Sequence, residues 1–300
     1  MKGTHKHKKK NTAPLLLRLI RTLFPVLERV APFLSDKIFV MVFYVPLRYR
    51  TPERELEVAR QGNEFSLTVE KRTIRGRVWG EKSRPWVLLV HGWAGRATQF
   101  RKFIPVLLEK GYRVIGPDAP AHGLSDGRVT SIPEFHQMFL ALYREFGEPA
   151  AVITHSFGGA AMLYAAMKGL PVKRLVNIAS PTIGDEILKT FLRAINGTWK
   201  SAERFKKYVL RRTGKRFDEF TALYAVKHLP RPIDLLVIND EDDKDVIFRS
   251  AEELLKAYPS GTLFRTRGLG HNRILKDEGV IARAVEFISQ GGNNGTPGAV

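Results

Sequence analysis

The fold is decided by one stretch of the sequence, Ala151-Val152-Ile153-Thr154-His155-Ser156-Phe157-Gly158-Gly159-Ala160. Its apolar beginning, residues 151–153, predicts a short buried strand, and the small and apolar residues 160–167 predict a helix. Ser156 therefore lies on a sharp turn from strand to helix. Such a turn holds a hydroxyl clear of the backbone and points nearby backbone N–H groups at whatever the serine attacks. Ser156 is the candidate nucleophile, and His155 and Gly158 support the turn.

The turn departs from the usual G-x-S-x-G pattern, because Thr154 stands where the first glycine is expected. Small residues are favoured at such turns because the serine is strained and the helix and strand approach closely. Taken alone, the stretch is a weak indication of catalysis, because a serine that only caps a helix explains it as well or better. The interpretation therefore depends on motifs elsewhere in the chain.

A second motif follows the four apolar residues 87–90, which predict another buried strand. That strand runs into His91, Gly92 and Trp93. A loop that contains glycine at this place can direct the N–H of Trp93 toward an oxyanion. The alternative is an ordinary turn in which His91 bonds locally, and we expect a structural role for His91 itself.

A third motif, residues 112–125, is a strand that ends in a loop rich in proline, glycine and aspartate. Asp118 and His122 lie in this loop, but no third ligand with suitable spacing accompanies them, so a metal site is not expected. Hydrogen bonds that stabilise the loop are the better interpretation of both residues.

The motifs HGW (91–93), DAPAHGLS (118–125), THSFGG (154–159) and GLGH (268–271), in this order, resemble those of the α/β-hydrolase superfamily over about residues 65–290. The resemblance implies an α/β fold: a mostly parallel central sheet with helices on both faces and a helical cap insertion. It also implies that the nucleophile is followed by an acid and then by a histidine. The backbone N–H groups of Trp93 and Phe157 would form the oxyanion hole.

The acid is expected in the acidic loop after the next-to-last strand, where the family pattern resembles H-G-x-x-D-x-x-V. That pattern places Asp243 at the acid, although Asn239 and Asp240 depart from its first two residues. Asp242 remains an alternative, because a shift of one residue exchanges the two. Asp185 is a second alternative, since some family members carry the acid after the preceding strand.

The histidine is expected after the last strand, and His271 lies there in a loop bracketed by glycines. The resemblance then implies that His271 takes a proton from Ser156, while Asp243 orients the imidazole. We expect hydrolysis of a carboxylic ester of a small-molecule acyl substrate through an acyl-enzyme, without a metal or an organic cofactor. An acyltransferase or thioesterase, and a non-catalytic protein that binds a membrane or partner, remain alternatives.

Composition and charge set the context. The 300 residues include no cysteine, so disulfides and thiol catalysis are excluded, and the net charge is +19. We expect a basic disordered tail over 1–13, a helical or amphipathic segment over 14–60, the hydrolase domain over 61–290 and a flexible tail over 291–300. No nucleic-acid-binding module accompanies the basic residues, so specific nucleic-acid binding is not expected. The oligomeric state is not predicted.

The segment 14–46 is apolar but is interrupted by charges, so neither a membrane span nor a cleaved signal peptide is expected. Its helices either pack on the hydrolase body or anchor the chain to a membrane surface. We therefore expect a cytoplasmic protein, with peripheral contact between residues 1–45 and an anionic membrane as one option. The cap is expected at about 182–231, with helices over 186–195, 201–212 and 218–228, and it is rich in basic residues.

Overall fold

The computed structural model describes residues 15–290. The tails predicted over 1–13 and 291–300 lie outside the described residues. Within the described part, the helices are α1 (Leu15–Val30), α2 (Pro32–Tyr44), α3 (Glu53–Arg60), α4 (Phe103–Glu109), α5 (Ile132–Phe146), α6 (Phe157–Met167), α7 (Gly184–Ile195), α8 (Trp199–Thr213), α9 (Ala222–Val226), α10 (Arg249–Ala257), α11 (Gly270–Arg273) and α12 (Glu278–Ser289).

The described residues also form one sheet of eight strands, in the order β1-β2-β4-β3-β5-β6-β7-β8. Its strands are β1 (Asn63–Val69), β2 (Arg72–Trp79), β3 (Trp86–Val90), β4 (Arg113–Pro117), β5 (Ala151–His155), β6 (Arg174–Ile178), β7 (Asp234–Asp240) and β8 (Thr262–Thr266). β1, β2 and β4 pair antiparallel, and every other neighbouring pair is parallel. The predicted α/β architecture is confirmed.

Helices cover both faces of the sheet, which explains why all five residues of β3 and of β5 are buried. Leu88 and Val90 of β3 pack with apolar residues of α5, α6 and α10 on one face. Val87 and Leu89 point to the other face, toward α4 and α12. The parallel strands therefore end at one shared edge, and the loops that follow them meet there.

The cap lies between β6 and β7 and consists of α7, α8 and a short 3₁₀ turn, Phe217–Phe220. The single helix predicted over 218–228 is wrong. Thr221 breaks it, because its backbone is extended and its hydroxyl oxygen accepts the N–H of Tyr224 as the N-cap of α9. Ala222 and Ala225 of α9 pack with residues of α6, so this short helix belongs to the body.

The N-terminal helices α1 and α2 form a hairpin that packs on the cap. Phe24 of α1 and Phe39 of α2 are fully buried in one cluster with Leu188, Phe205 and other cap residues. The Phe39 ring lies 4.9 Å, centre to centre, from the Phe205 ring. The inner face of this hairpin is therefore packed against other helices, which is one of the two arrangements expected from the sequence.

Polar contacts fasten the same hairpin to α8. The buried carboxylate of Glu28 accepts hydrogen bonds from the backbone and hydroxyl of Thr198 and from the hydroxyl of Ser201. Burial alone would raise the pKa of Glu28, but these bonds outweigh burial and lower it. Arg204 pairs with Asp36 at 2.6 Å. Among residues 15–290, no helix is both long and apolar enough to span a bilayer.

We expect Phe39→Ala to destabilise the protein by about 3–5 kcal/mol, because it empties a buried site among aromatic rings. Phe33, on the same helix, is the matched control, because its side chain is 72% exposed whereas that of Phe39 is 1% exposed. Phe33→Ala should change stability by no more than about 0.5 kcal/mol. Urea unfolding measures both values, and equal losses would contradict the packing described here.

Candidate active site

Ser156 occupies the turn between β5 and α6 with φ 53° and ψ −125°. A non-glycine residue with such a backbone conformation is strained, and strain of this kind persists where the surroundings hold it. Here the backbone N–H of Ser156 donates to the carbonyl of Ile178 at 2.8 Å, which ties the turn to the neighbouring strand β6. The hydroxyl is thereby held at the edge of the sheet.

Glycines allow the surrounding backbone to approach this turn. A Cβ at Gly158 would lie 2.5 Å from the carbonyl oxygen of His91, and a Cβ at Gly92 would lie 2.7 Å from Ser156 Cβ. Thr154 is accommodated where a glycine was expected, because its hydroxyl donates within the neighbouring strand, 3.1 Å from Asn177 Oδ1 and 3.2 Å from the carbonyl of Val176. The departure from the pattern therefore leaves the turn intact.

Three predicted site residues form a hydrogen-bonded chain. His271 Nε2 lies 3.0 Å from Ser156 Oγ, and His271 Nδ1 lies 2.8 Å from Asp243 Oδ2. The other carboxylate oxygen of Asp243 accepts the backbone N–H groups of Asp245 and Val246. This network assigns the neutral histidine tautomer in which Nδ1–H donates to Asp243 and Nε2 accepts the Ser156 hydroxyl.

The two alternative acids lie elsewhere. Asp242 accepts the backbone N–H of Gly268 at 3.1 Å, so it contacts the loop before the histidine rather than the imidazole. Asp185 lies on α7 of the cap, where it forms an ion pair with Lys206. Of the three carboxylates considered from the sequence, the structure brings that of Asp243 to His271.

Asp240 departs from the family pattern, and its carboxylate holds the loop that leads to His271. Its buried carboxylate accepts the backbone N–H of Leu269 at 3.0 Å and of Gly270 at 2.9 Å, and the hydroxyl of Thr266 at 2.8 Å. Burial alone would raise the pKa of Asp240, but these hydrogen bonds and one from the backbone of Asp242 lower it. In the sequence, this role of Asp240 is indicated only by the position of an acid at the very end of a buried strand.

His155 packs against the ring of His271 and binds its backbone carbonyl. Its ring centre is 4.7 Å from that of His271, and its Nε2 lies 2.9 Å from the His271 carbonyl oxygen, to which it donates. Burial lowers the pKa of His155 to about 3, so the ring stays neutral and keeps this donor at ordinary pH. His155 is thus a positioning residue and does not contact Ser156 Oγ.

His91 fixes the loop that carries Trp93. Its Nδ1 donates to the carbonyl of Gly92 at 2.8 Å, and its Nε2 accepts the backbone N–H of Ala119 at 2.9 Å. Burial lowers the pKa of His91 to about 4, which keeps it neutral for both roles. His91 thus joins the loop after β3 to the loop after β4.

Asp118 stabilises the adjacent loop, as expected, by accepting the backbone N–H groups of Ala97 and Leu124. His122 lies there too, with Nδ1 3.0 Å from the carbonyl of Pro120. These contacts are structural, and they hold the loop that follows β4 against the loop that contains His91.

Trp93 and Phe157, the two predicted oxyanion-hole residues, lie side by side, with ring centres 5.3 Å apart. Among the residues that the structure describes, their backbone N–H groups have no hydrogen-bond acceptor. Both residues line the same cavity as Ser156 and His271. These two donors are therefore available to a bound molecule beside the hydroxyl.

The cavity has a volume of about 1530 Å³ and lies between the sheet edge, the cap and the N-terminal hairpin. Ser156 and His271 line its base. Its walls are formed mainly by apolar side chains, among them Phe43 of α2 and Phe191 of α7. A molecule that reaches Ser156 thus passes through a large apolar space.

One carboxylate–histidine group also meets the spacing of a metal site. Ligand atoms of Asp243, Asp245 and His271 lie within 4.8 Å of one another. However, Nδ1 of His271 already donates to Asp243, and a proton and a metal cannot share that nitrogen. The arrangement fits the hydrogen-bonded chain better than it fits a metal ion.

Asp240→Asn should destabilise the protein by about 2 kcal/mol at neutral pH, because it removes charge-assisted hydrogen bonds between a buried carboxylate and the loop before His271. The pKa of Asp240 is lowered in the folded protein, so its stabilising effect is present above the ordinary aspartate pKa. That effect is lost as the pH falls through the folded value.

The difference in unfolding free energy between wild type and Asp240→Asn should therefore shrink as the pH is lowered below about 4. Glu241→Gln is the control, because Glu241 forms only partly exposed ion pairs with Arg265 and Arg267. A difference between wild type and Asp240→Asn that does not change with pH would contradict the role assigned to the carboxylate.

Comparisons with known proteins identify related chains. The chain is 28% identical over 158 residues to a "Probable serine hydrolase" of Drosophila melanogaster, an alignment that covers 48% of this chain and 45% of that protein. It is 33% identical over 105 residues to a "Serine hydrolase-like protein" of Danio rerio, covering 33% of this chain and 32% of that one. The matched region thus spans less than half the length of these relatives.

Among solved structures, an esterase of Pyrococcus furiosus superposes with a TM-score of 0.63 at 20% identity, over 82% of this chain and 97% of that one. This likeness concerns the fold. The sequence pattern of the "Alpha/beta hydrolase family" matches residues 87–284, which is more than half of the chain. The chain therefore belongs to the alpha/beta hydrolase family.

Proposed function

We propose that this protein is a serine hydrolase that cleaves carboxylic esters with a bulky apolar acyl group. One observation carries the proposal: the chain of hydrogen bonds from Ser156 through His271 to Asp243 opens into the large apolar cavity. The relatives named as serine hydrolases support the general class, although they match over only part of their length.

We infer the first half-reaction from the hydrogen bonds among Ser156, His271 and Asp243. Ser156 Oγ attacks the ester carbon, and its proton passes to His271 Nε2, 3.0 Å away. Asp243 stabilises the resulting imidazolium and keeps it oriented. The N–H groups of Trp93 and Phe157 bind the oxyanion, and such a donor typically contributes about 3 kcal/mol. His271 then gives the proton to the departing alcohol, which leaves the acyl group on Ser156.

The second half-reaction releases the acid. A water molecule attacks the acyl carbon while His271 Nε2 takes its proton, and the same two N–H groups stabilise the new oxyanion. Collapse of this intermediate returns the proton to Ser156 and frees the carboxylic acid. A thioester would react in the same way, and an acyl transfer differs only in that an alcohol replaces the water.

The cavity supports an apolar acyl group. Phe191, Phe217 and Phe220 line it from the cap side, and Phe43 of the hairpin faces the same space. Burial of each methylene group contributes about 0.8 kcal/mol. We therefore expect kcat/KM to rise along a series of p-nitrophenyl esters as the acyl chain grows from two to about ten carbons.

Ser156→Ala should abolish covalent labelling by a fluorophosphonate and lower ester turnover by several orders of magnitude, because no nucleophile remains. The fold should be retained, since the side chain loses one oxygen. In-gel fluorescence and initial rates measure the two effects, and circular dichroism checks the fold. Undiminished labelling of the folded variant would remove Ser156 from the mechanism.

Asp243→Asn should lower kcat by about 10⁴-fold, because the amide favours the wrong imidazole tautomer. Asp242→Asn is the matched control next to it in sequence, and Asp185→Asn tests the remaining candidate. Both should retain most of the activity, since their carboxylates contact Gly268 and Lys206 rather than His271. If either control loses more activity than Asp243→Asn, the assignment of the acid is wrong.

A further inference from the structure

The outer face of the N-terminal hairpin is apolar and exposed. On α1 the exposed apolar side chains are Leu19, Leu23, Val26 and Val30, whose spacing of three to four residues places them in one stripe. Phe24 and Glu28, which are buried against the cap, lie on another face of the same helix. The hairpin therefore has two different apolar surfaces, and the cap covers one of them.

The stripe continues across the tip of the hairpin into α2. Val30, at the end of α1, is 74% exposed, and Phe33 and Leu34, at the start of α2, are exposed as well. We call the six residues Leu19, Leu23, Val26, Val30, Phe33 and Leu34 the apolar crest. Large contiguous apolar surfaces of this kind mark places where a soluble domain meets a partner or a membrane.

The charges of the hairpin are sorted between its two faces. Its acids, Glu28 and Asp36, are bound to α8 through Ser201 and Arg204. Of its four basic residues, Arg18, Arg29 and Lys37 are exposed and form no ion pair within residues 15–290. The fourth, Arg21, donates to the side chain of Asn196 at the end of α7. The side of the hairpin that carries the crest is therefore positively charged.

The sequence before α1 adds to this charge. Residues 1–37 contain nine basic and two acidic residues, and five of the basic residues precede α1. Two copies of the chain joined crest to crest would bring these basic groups together, and like charges in one interface oppose association. An anionic surface is the partner that this charge pattern fits.

The crest also adjoins the active-site cavity. Leu17 and Ile20 of α1 and residues 40–44 of α2 line that cavity. Met41 both lines the cavity and is half exposed at the surface. The hairpin thus forms a wall with the cavity on one side and the crest on the other, and Met41 of α2 reaches both the cavity and the surface.

We propose that the apolar crest docks on the surface of an anionic lipid bilayer. The crest side chains enter the boundary between headgroups and acyl chains, and the basic residues beside them contact the lipid phosphates. Docking goes beyond the proposed ester hydrolysis and does not require it. It places the hairpin wall of the cavity, including the half-exposed Met41, beside the membrane, where esters with apolar acyl groups are concentrated.

Sedimentation of the full chain with vesicles tests the proposal. The wild type should bind vesicles of phosphatidylcholine with 30% phosphatidylglycerol in 0.05 M salt, and should bind pure phosphatidylcholine vesicles much less. Binding should weaken in 1 M salt, because the screening length falls to about 3 Å. Val30→Glu/Phe33→Glu should lower the affinity by at least about tenfold, since it places two acids at the centre of the docking face.

Leu210→Glu is the matched control, because Leu210 is an exposed leucine on α8 outside the crest, and its binding should equal that of the wild type. Turnover of soluble p-nitrophenyl acetate should be unchanged in both variants, which shows that they fold. Ser156→Ala should bind vesicles as the wild type does, so that a failure of the proposed catalysis is distinguished from a failure of docking.

Three results would overturn the proposal. The first is no binding of the wild type to the anionic vesicles in low salt. The second is equal binding by Val30→Glu/Phe33→Glu. The third is a wild-type dimer in sedimentation velocity that this double variant converts to a monomer, because the crest would then be the contact between two copies of the chain.

Discussion

The site depends on one packing constraint, the close approach of the loop after β3 to the turn that carries Ser156. The serine has a positive φ, a Cβ at Gly92 would lie 2.7 Å from Ser156 Cβ, and a Cβ at Gly158 would lie 2.5 Å from the carbonyl oxygen of His91. A side chain at either glycine would push the loop after β3 away from the turn after β5. Trp93 and Phe157, whose ring centres lie 5.3 Å apart, would then be separated. The strain at the serine is thus maintained by the sheet that holds both loops in register.

The second constraint comes from two nearby carboxylates, of which one binds the loop before His271 and the other binds the imidazole. Asp240 is the last residue of β7, and its oxygens bind the backbone that leads to His271. Asp243 comes three residues later and binds the imidazole itself. Because Asp240 fixes the loop and His155 fixes the His271 carbonyl, the ring has little freedom to turn away from Ser156. The position of His271 is therefore fixed by several groups.

Much of this arrangement could be predicted from the sequence. Short apolar runs before Ser156 and His91 identified central strands, because strands covered on both faces are apolar throughout. The role of Asp240 was missed, since five nearby acids look alike in sequence and only their position relative to the end of β7 separates them. The break at Thr221 was also missed, because the helical pattern continues across it. In these cases backbone geometry, which composition does not encode, decides the outcome.

The N-terminal segment shows why two interpretations of one sequence can each describe a part of the structure. A helix with apolar residues around most of its circumference can bury only the part that meets its neighbour. In α2 that neighbour is α8, which buries Phe39 and leaves Phe33 exposed. Because Glu28 and Asp36 also bind α8, a movement of the cap that kept these contacts would carry the hairpin with it. The hairpin wall of the cavity and the apolar crest are therefore parts of one packed unit with the cap.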